Sequence, residues 1–163
     1  MKQWIGVVCA TLLSVASVKA ADAVDPKKLA DVLTGDAKSS AAHNPQCKLF
    51  SPAEIAKYLD QPVDAGQNAA GGSGCQWPAK KDDSADAMVQ VVPSRYFVAP
   101  SGAKGFRPLP NIGTKGFVAP QYGGWSAGAL VGEVGIWVNV SGKTAKESAA
   151  IALLEETIKR RKP

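Results

Sequence analysis

The feature that most constrains this chain is a short segment that begins at Cys47 and is followed, after a glycine-rich stretch, by a second cysteine at Cys75. Residues 51–54, Ser-Pro-Ala-Glu, have the pattern of a helix capping box, in which the first hydroxyl and the last carboxylate bond each other's backbone N–H groups. Proline suits the first helical position because its missing N–H has no helical partner there. The segment therefore predicts a helix over 52–60, which ends before the proline at position 62.

Cys47 and Cys75 are predicted to form a disulfide bond. The third cysteine, Cys9, lies in a predicted signal peptide over 1–20, which has an early lysine, an apolar run and a small-residue cleavage site. Its removal leaves an even number of cysteines, as is typical of an oxidising compartment. A bridge spanning 28 positions (75 − 47) would stabilise the fold by about 3–4 kcal/mol in the chain-entropy model. A reactive thiol pair remains an alternative, although the sequence has no Cys-x-x-Cys motif.

Length and charge indicate one exported domain. Without its first 20 residues the chain has 143 residues (163 − 20) and a net charge of +3 (17 basic minus 14 acidic residues). This length suits a single domain, and so mild a charge is weak support for nucleic-acid binding. The apolar run of the signal peptide is too short for a membrane span. We therefore expect a periplasmic or secreted protein with no nucleic-acid partner and no transmembrane segment after signal removal.

We therefore predict three segments: a signal peptide over 1–20, a short helix and linker over 21–44, and a single α+β domain over 45–163. The domain is predicted to contain a four- to five-stranded antiparallel sheet with one disulfide, because the links between strands are too short for parallel crossovers. The 52–60 helix and a second helix over 145–160 are expected to cover one face of the sheet. A second capping box at 144–147 is expected to open the second helix. Apolar alternation predicts the main strands at 74–77, 87–92, 125–131 and 133–140.

The region 93–125 differs in composition from the rest of the chain. It contains five prolines, six glycines, six aromatic residues and four basic residues, but no acidic residue. We expect loops with one or two short edge strands, and a surface that favours an anionic partner. Aromatic and arginine side chains dominate interface hot spots, although these aromatic rings would equally fill the core beneath long loops. The residues predicted to bind the partner are Arg95, Tyr96, Phe106, Arg107 and Tyr122.

The order of motifs resembles that of a known group of domains. The chain has Cys47, then Leu-Phe-Ser-x-x-Glu-Ile at 49–55, a glycine-rich loop and Cys75-x-Trp77. This order resembles small bacterial exported domains of unknown function, found as secreted lipoproteins and as sensor domains of receptor kinases. Their pattern is Cys-x-Leu-Leu-Thr-x-x-Glu-Val followed by Cys-x-Trp, and the resemblance covers roughly 45–159. It implies paired cysteines, an antiparallel sheet with helices packed on it, and no known catalytic residues. This chain lacks their lipobox.

The sequence predicts a non-enzymatic binding or sensor module that contacts a protein or envelope component. It contains no recognisable arrangement of nucleophile, acid and base, and we expect no catalytic residue, no metal site and no cofactor. The only histidine, His43, lies in a polar linker and is expected to be exposed. The alternative is a periplasmic inhibitor or immunity protein directed against a toxin or hydrolase, which would also be small, disulfide-bonded and non-catalytic.

Overall fold

A computed structural model describes residues 41–161 of the chain. The predicted signal peptide and the predicted helix of the 21–44 segment lie outside these residues. Within the described part, His43 is exposed at the end of a short 3₁₀ turn. No helix of the described part is long and apolar enough to cross a membrane.

Within residues 41–161, seven strands form one sheet in which every neighbouring pair is antiparallel. Two α-helices accompany it in the same residues: α1 spans Pro52–Leu59 and α2 spans Glu147–Arg160. The strands lie in the spatial order β1-β2-β3-β7-β6-β5-β4. Their bounds are β1 Gln67–Ala69, β2 Gly74–Pro78, β3 Asp86–Pro93, β4 Arg107–Pro108, β5 Thr114–Gln121, β6 Gly124–Val131 and β7 Val134–Ser141.

The prediction of a four- to five-stranded sheet is wrong, because the sheet has seven strands and apolar alternation marks only four of them, β2, β3, β6 and β7. The three residues of β1 lie in the glycine-rich loop between the cysteines, where no apolar alternation marks them. The eight residues of β5 lie in the proline- and glycine-rich region for which the sequence predicts loops with one or two short edge strands. Pro120 is tolerated in β5 because β4 pairs only as far as Val118, so the proline lies where no second neighbour requires its N–H.

One face of the sheet is apolar and carries both helices; we call it the helix-covered face. Alternate residues of β3, β6 and β7 point to this side and are buried together with side chains from α1 and α2. The period of two in each strand puts all these residues on one side of the pleated sheet. This core comprises Ala87, Val89, Val91, Ala127, Ala129, Ile136, Val138 and Val140 from the sheet, with Ile55, Leu59, Ala150, Leu153 and Leu154 from the helices.

The capping box and the disulfide predicted for the segment ahead of α1 both form. The Ser51 hydroxyl accepts from the Glu54 N–H, and the Glu54 carboxylate accepts from the Ser51 N–H at 2.8 Å, so the capping box forms. Cys47 and Cys75 form the predicted disulfide, with their Cα atoms 5.1 Å apart. This bridge joins the start of α1 to β2, because Cys75 is a fully buried residue of that strand.

The predicted capping box at 144–147 does not form. The helix α2 begins at Glu147, and its N-cap residue, Lys146, makes no side-chain capping bond. Instead, the Glu147 carboxylate accepts a hydrogen bond from Arg107 of β4. The Glu147 carboxylate, which would complete the capping box, therefore forms an ion pair with a distant strand instead.

Arg160, near the end of α2, joins the two helices. Its guanidinium donates to the Glu54 carboxylate at 2.7 Å and to the Leu49 carbonyl at 2.5 Å. It also donates to Glu156 at 2.7 Å and lies 4.4 Å from the centroid of the Phe50 ring. The hydrogen bond from Arg160, supported by bonds from Ser51, lowers the pKa of the Glu54 carboxyl to about 2. The capping box of α1 is therefore tied to the C-terminal end of α2.

Candidate binding groove

The opposite face of the sheet carries neither helix; we call it the helix-free face. It is formed by the alternate residues that point away from the core, such as Met88 and Gln90 in β3 and Trp137 and Asn139 in β7. The segment between β3 and β5 covers one half of this face, and the other half is an open groove. An antiparallel sheet can leave one face in water, so such a surface is available for binding.

The covered half of the helix-free face is a small aromatic core, which we call the aromatic cluster. Phe117 is fully buried, and its ring centroid lies 5.9 Å from that of Phe106, 6.0 Å from that of Phe97 and 5.9 Å from that of Trp137. Gly135 is required beneath it, because a Cβ at that position would lie 2.5 Å from the Phe97 ring. The aromatic cluster therefore anchors the loop segment to the sheet by packing.

Two of the five predicted partner-binding residues have structural contacts. Phe106 stacks on Phe117 in the aromatic cluster and is half-buried. Arg107, the next residue, contacts the other side of the sheet, where it pairs with Glu147 of α2. The two residues therefore contact opposite sides of the sheet and do not form one surface.

The other three predicted residues are exposed but lie at opposite ends of the sheet. Arg95 and Tyr96 follow β3 near the turn between β6 and β7, and the Arg95 guanidinium lies 4.8 Å from the centroid of the Tyr96 ring. Tyr122 lies in the turn between β5 and β6, at the other end of β6. The eight residues of β6 separate these ends by roughly 20 Å or more, at about 3.3 Å per strand residue. The structure therefore does not assemble the five residues into a single site.

The open half of the helix-free face is a groove of about 200 Å³ across β3 and β7, with the β5–β6 turn at its rim. Most of the side chains lining it come from alternate residues of β3 and β7, so the sheet backbone holds them in place. Sites supported by strands are positioned more firmly than sites on loops. The lining residues are Asp86, Met88, Gln90, Tyr122, Trp137, Asn139 and Ser141.

A hydrogen-bond network orders the charged end of the groove. The Asp86 carboxylate accepts from the Gln76 amide and from the Ser141 hydroxyl. The Asp86 backbone N–H donates in turn to the Ser141 hydroxyl at 3.0 Å. Since each oxygen of this carboxylate already has a donor, it is a positioned acceptor with remaining lone pairs.

The two amide side chains that line the groove are each bonded through one atom. The Asn139 Oδ1 accepts from the hydroxyl of the buried Ser126, and no described residue bonds its NH₂ group. The Gln90 Nε2 donates to the Ser73 hydroxyl at 3.0 Å, which leaves its Oε1 as an acceptor. The groove therefore presents both donors and acceptors in fixed positions.

Trp137, one of the residues that line the groove, has a buried donor that no described residue bonds. The Trp137 Nε1 is buried and makes no hydrogen bond to any residue of the described part. On the same face, at the end of β5 next to the rim, the Gln121 Oε1 is also buried and unbonded to the described residues. Buried polar groups without partners are uncommon in native proteins and cost free energy.

Tyr122 is held at the rim in a conformation that tyrosine rarely adopts. It has φ 53° and is followed by Gly123 with φ 72°, so the two-residue turn has the positive φ angles of a type I′ hairpin. Asparagine, aspartate or glycine is the usual first residue of that turn, and a bulky residue there is an outlier. Despite this cost, the ring is 70% exposed, so it gains little from packing.

The shifted ionisable groups lie away from the groove. The carboxyl pKa values of Glu54 and Glu156 are lowered, chiefly by hydrogen bonds from Arg160, and burial raises the pKa of Tyr58. Hydrogen bonds from Ser84 lower the pKa of Asp82. No group of three or more histidine, cysteine, aspartate or glutamate residues within 41–161 is arranged to hold a metal ion.

Sequence reasoning identified Tyr122 but none of the other six groove residues. Met88 with Gln90, and Trp137 with Asn139, do stand at alternating positions of predicted strands. That signal was present, but it did not show that the two strands are neighbours. Their pairing, Met88 opposite Asn139 and Gln90 opposite Trp137, is what assembles the groove.

In comparisons with known proteins, no family model, no curated protein and no solved structure matches this chain. The resemblance to the small exported domains therefore stays a prediction.

Proposed function

We propose that this protein is a non-enzymatic binding or sensor module of the periplasm or the extracellular space, and that its ligand occupies the groove on the helix-free face. The observation that carries this proposal is the conformation and exposure of Tyr122. An exposed aromatic ring is kept in a strained backbone conformation at the rim of a groove lined by positioned polar groups. Strained positions concentrate at binding sites, where the surrounding structure holds them in place.

The rest of the groove supports binding in the same way. Asp86, Asn139 and Gln90 are each bonded to neighbouring protein groups. A ligand would therefore meet side chains that are already ordered, and little conformational entropy would be lost on binding. The aromatic cluster holds the adjoining half of the face rigid, because it shares Trp137 with the groove.

The 93–125 region contributes to this proposal through Tyr122. Arg95 and Tyr96 form a separate exposed pair at the other end of the sheet. The side chain of Tyr96 is 64% exposed and that of Tyr122 is 70% exposed. The chain thus offers two similar tyrosines, one in the groove and one outside it, and Tyr96 is the matched control.

The proposal is tested by sedimentation of the purified protein with an envelope fraction. Tyr122→Ala and Gln90→Ala should each weaken binding by about fivefold or more, as truncation of an interface residue worth over about 1 kcal/mol does. Tyr96→Ala should bind as the unchanged protein does. Equal losses for Tyr96→Ala and Tyr122→Ala, or no loss for either groove variant, would overturn the assignment of the groove. A stoichiometric complex with one toxin or hydrolase that survives both groove changes would favour the inhibitor alternative.

A further inference from the structure

The chemistry of the groove restricts its ligand, provided that the groove is the binding site as proposed above. Among the described residues that line it, Asp86 is the only charged one, and there is no lysine, arginine or histidine. An anionic ligand such as a phosphate or an acidic peptide would find no counter-charge and would be repelled by the carboxylate. The ligand is therefore expected to carry no negative charge.

The hydrogen-bonding groups of the groove match hydroxyl groups. The NH₂ group of Asn139 is a donor without a partner in the described part, and the Gln90 Oε1 and Asp86 carboxylate are acceptors. A hydroxyl group donates one hydrogen bond and accepts others, so a row of hydroxyls satisfies such a mixed set. A ligand with only donors or only acceptors would leave part of it unpaired.

The apolar side chains lie among these polar groups. Trp137, Met88 and the exposed ring of Tyr122 line the same groove as the amides. Aromatic side chains offer a large flat apolar surface together with a polar group. A sugar ring has the complementary construction, with C–H groups on its faces and hydroxyls around its edge.

The volume of the groove limits how much ligand it holds. About 200 Å³ lies below the roughly 300–1,000 Å³ of pockets that enclose a drug-sized molecule. The groove therefore suits one ring at a time, either in a free sugar or within a longer chain that continues along the sheet.

We propose that the groove binds a neutral saccharide whose rings carry vicinal hydroxyl groups. One sugar ring lies with its C–H face against Tyr122 or Trp137 and its hydroxyls bond Asn139, Gln90 and Asp86. The sugar is part of an envelope glycan or a free oligosaccharide, and these two sources share the same recognition chemistry. The strained Tyr122 is then explained as a side chain that contributes binding surface.

The decisive experiment treats the envelope fraction before the sedimentation assay. Periodate, which cleaves vicinal diols, should abolish binding of the purified protein, whereas digestion of envelope proteins by a protease should leave it intact. Binding that survives periodate and is lost on proteolysis would overturn the saccharide inference. The groove assignment would still stand in that case if Tyr122→Ala lowers binding, so the two failures are distinguishable.

A second measurement separates the two sources and locates the ring. Cellohexaose and maltohexaose, whose rings carry the vicinal diols that periodate cleaves, are titrated while the indole N–H resonance of Trp137 is followed by NMR, with its assignment made from Trp137→Phe. A shift of that resonance, with an affinity reduced about tenfold by Tyr122→Ala and unchanged by Tyr96→Ala, supports a free oligosaccharide in the groove. No shift with any hexamer, together with periodate-sensitive binding to the envelope fraction, assigns the glycan polymer. No shift together with periodate-resistant binding overturns the proposal.

Discussion

The two faces of the sheet differ in what their side chains do. The helix-covered face is apolar, and it is supported by the Cys47–Cys75 disulfide and by the contacts of Arg160 between α1 and α2. The helix-free face is half aromatic cluster and half polar groove, with a buried donor that no described residue bonds and a tyrosine in an unfavourable turn. The contrast indicates that the helix-covered face and the aromatic cluster stabilise the fold, and the remaining half of the helix-free face is where we propose that a ligand binds.

The strongest test of this division is Phe117→Ala in the aromatic cluster. Phe117 is fully buried against three other rings, so its removal should cost about 3–5 kcal/mol of unfolding free energy. Urea denaturation measures the change, and Tyr96→Ala, at an exposed residue in the turn after β3, should stay within about 0.5 kcal/mol. A loss below about 1 kcal/mol for Phe117→Ala would mean that the aromatic cluster is not part of the folding core.

Removal of the disulfide tests how the helix-covered side is stabilised. Replacing both Cys47 and Cys75 by alanine should cost about 3–4 kcal/mol, because the bridge closes a long loop of the unfolded chain; the two cysteines are 28 positions apart. The denaturation midpoint of this variant should match that of the unchanged protein after reduction. If the variant and the oxidised protein unfold at the same urea concentration, the bridge does not stabilise the helix-covered side.

The contacts of Arg160 make the stability of the helix-covered side depend on pH. The pKa of Glu54 is lowered from 4.5 to about 2 in the folded protein. A carboxyl with a depressed folded pKa contributes stability above its unfolded pKa and loses it as the pH falls through the folded pKa. The thermal midpoint should therefore fall between pH 4.5 and pH 2, and Arg160→Ala should flatten that fall, because the largest cause of the shift is removed.

Lys159→Ala is the control for this pH dependence. Lys159 is the adjacent cation of α2, and it pairs only with Glu156, at 3.5 Å, among the described residues. Its loss should leave the pH profile between 4.5 and 2 close to that of the unchanged protein. Equal flattening by Lys159→Ala and Arg160→Ala would show that net charge, and not the bond to Glu54, sets the profile.

Tyr122→Asn has the smallest expected effect on stability, and it separates the contribution of Tyr122 to folding from its contribution to binding most directly. Tyr122→Asn places the preferred residue at the first position of a type I′ turn, so the protein should gain about 0.5 kcal/mol of unfolding free energy. The same variant should lose binding to the envelope fraction. Tyr122→Phe, which keeps the ring, should show neither the gain nor most of the loss; a gain in stability with full binding would contradict the role given to Tyr122.

Local signals predicted α1, the disulfide and the long hairpin of β6 and β7, but they gave too few strands. The capping box at 51–54 needs only contacts within one turn, so nothing distant competes with it. The similar motif at 144–147 fails: the helix begins only at Glu147, and the Glu147 carboxylate pairs with Arg107 of a remote strand. β5 was missed because its proline and its glycine resemble loop residues, and Pro120 is tolerated only because the two-residue β4 does not pair with it.

Features that depend on residue types and on residues near one another in sequence could be predicted from the sequence alone: a capped helix, a pair of cysteines and strands with apolar alternation. The tertiary structure alone decided which strands are neighbours, and through them the groove. Asp86 and Ser141, or Gln90 and Trp137, are about fifty residues apart in sequence and meet only because β3 pairs with β7. Antiparallel pairing between distant strands depends on burial of one shared face, which is a property of the whole sheet and not of either strand.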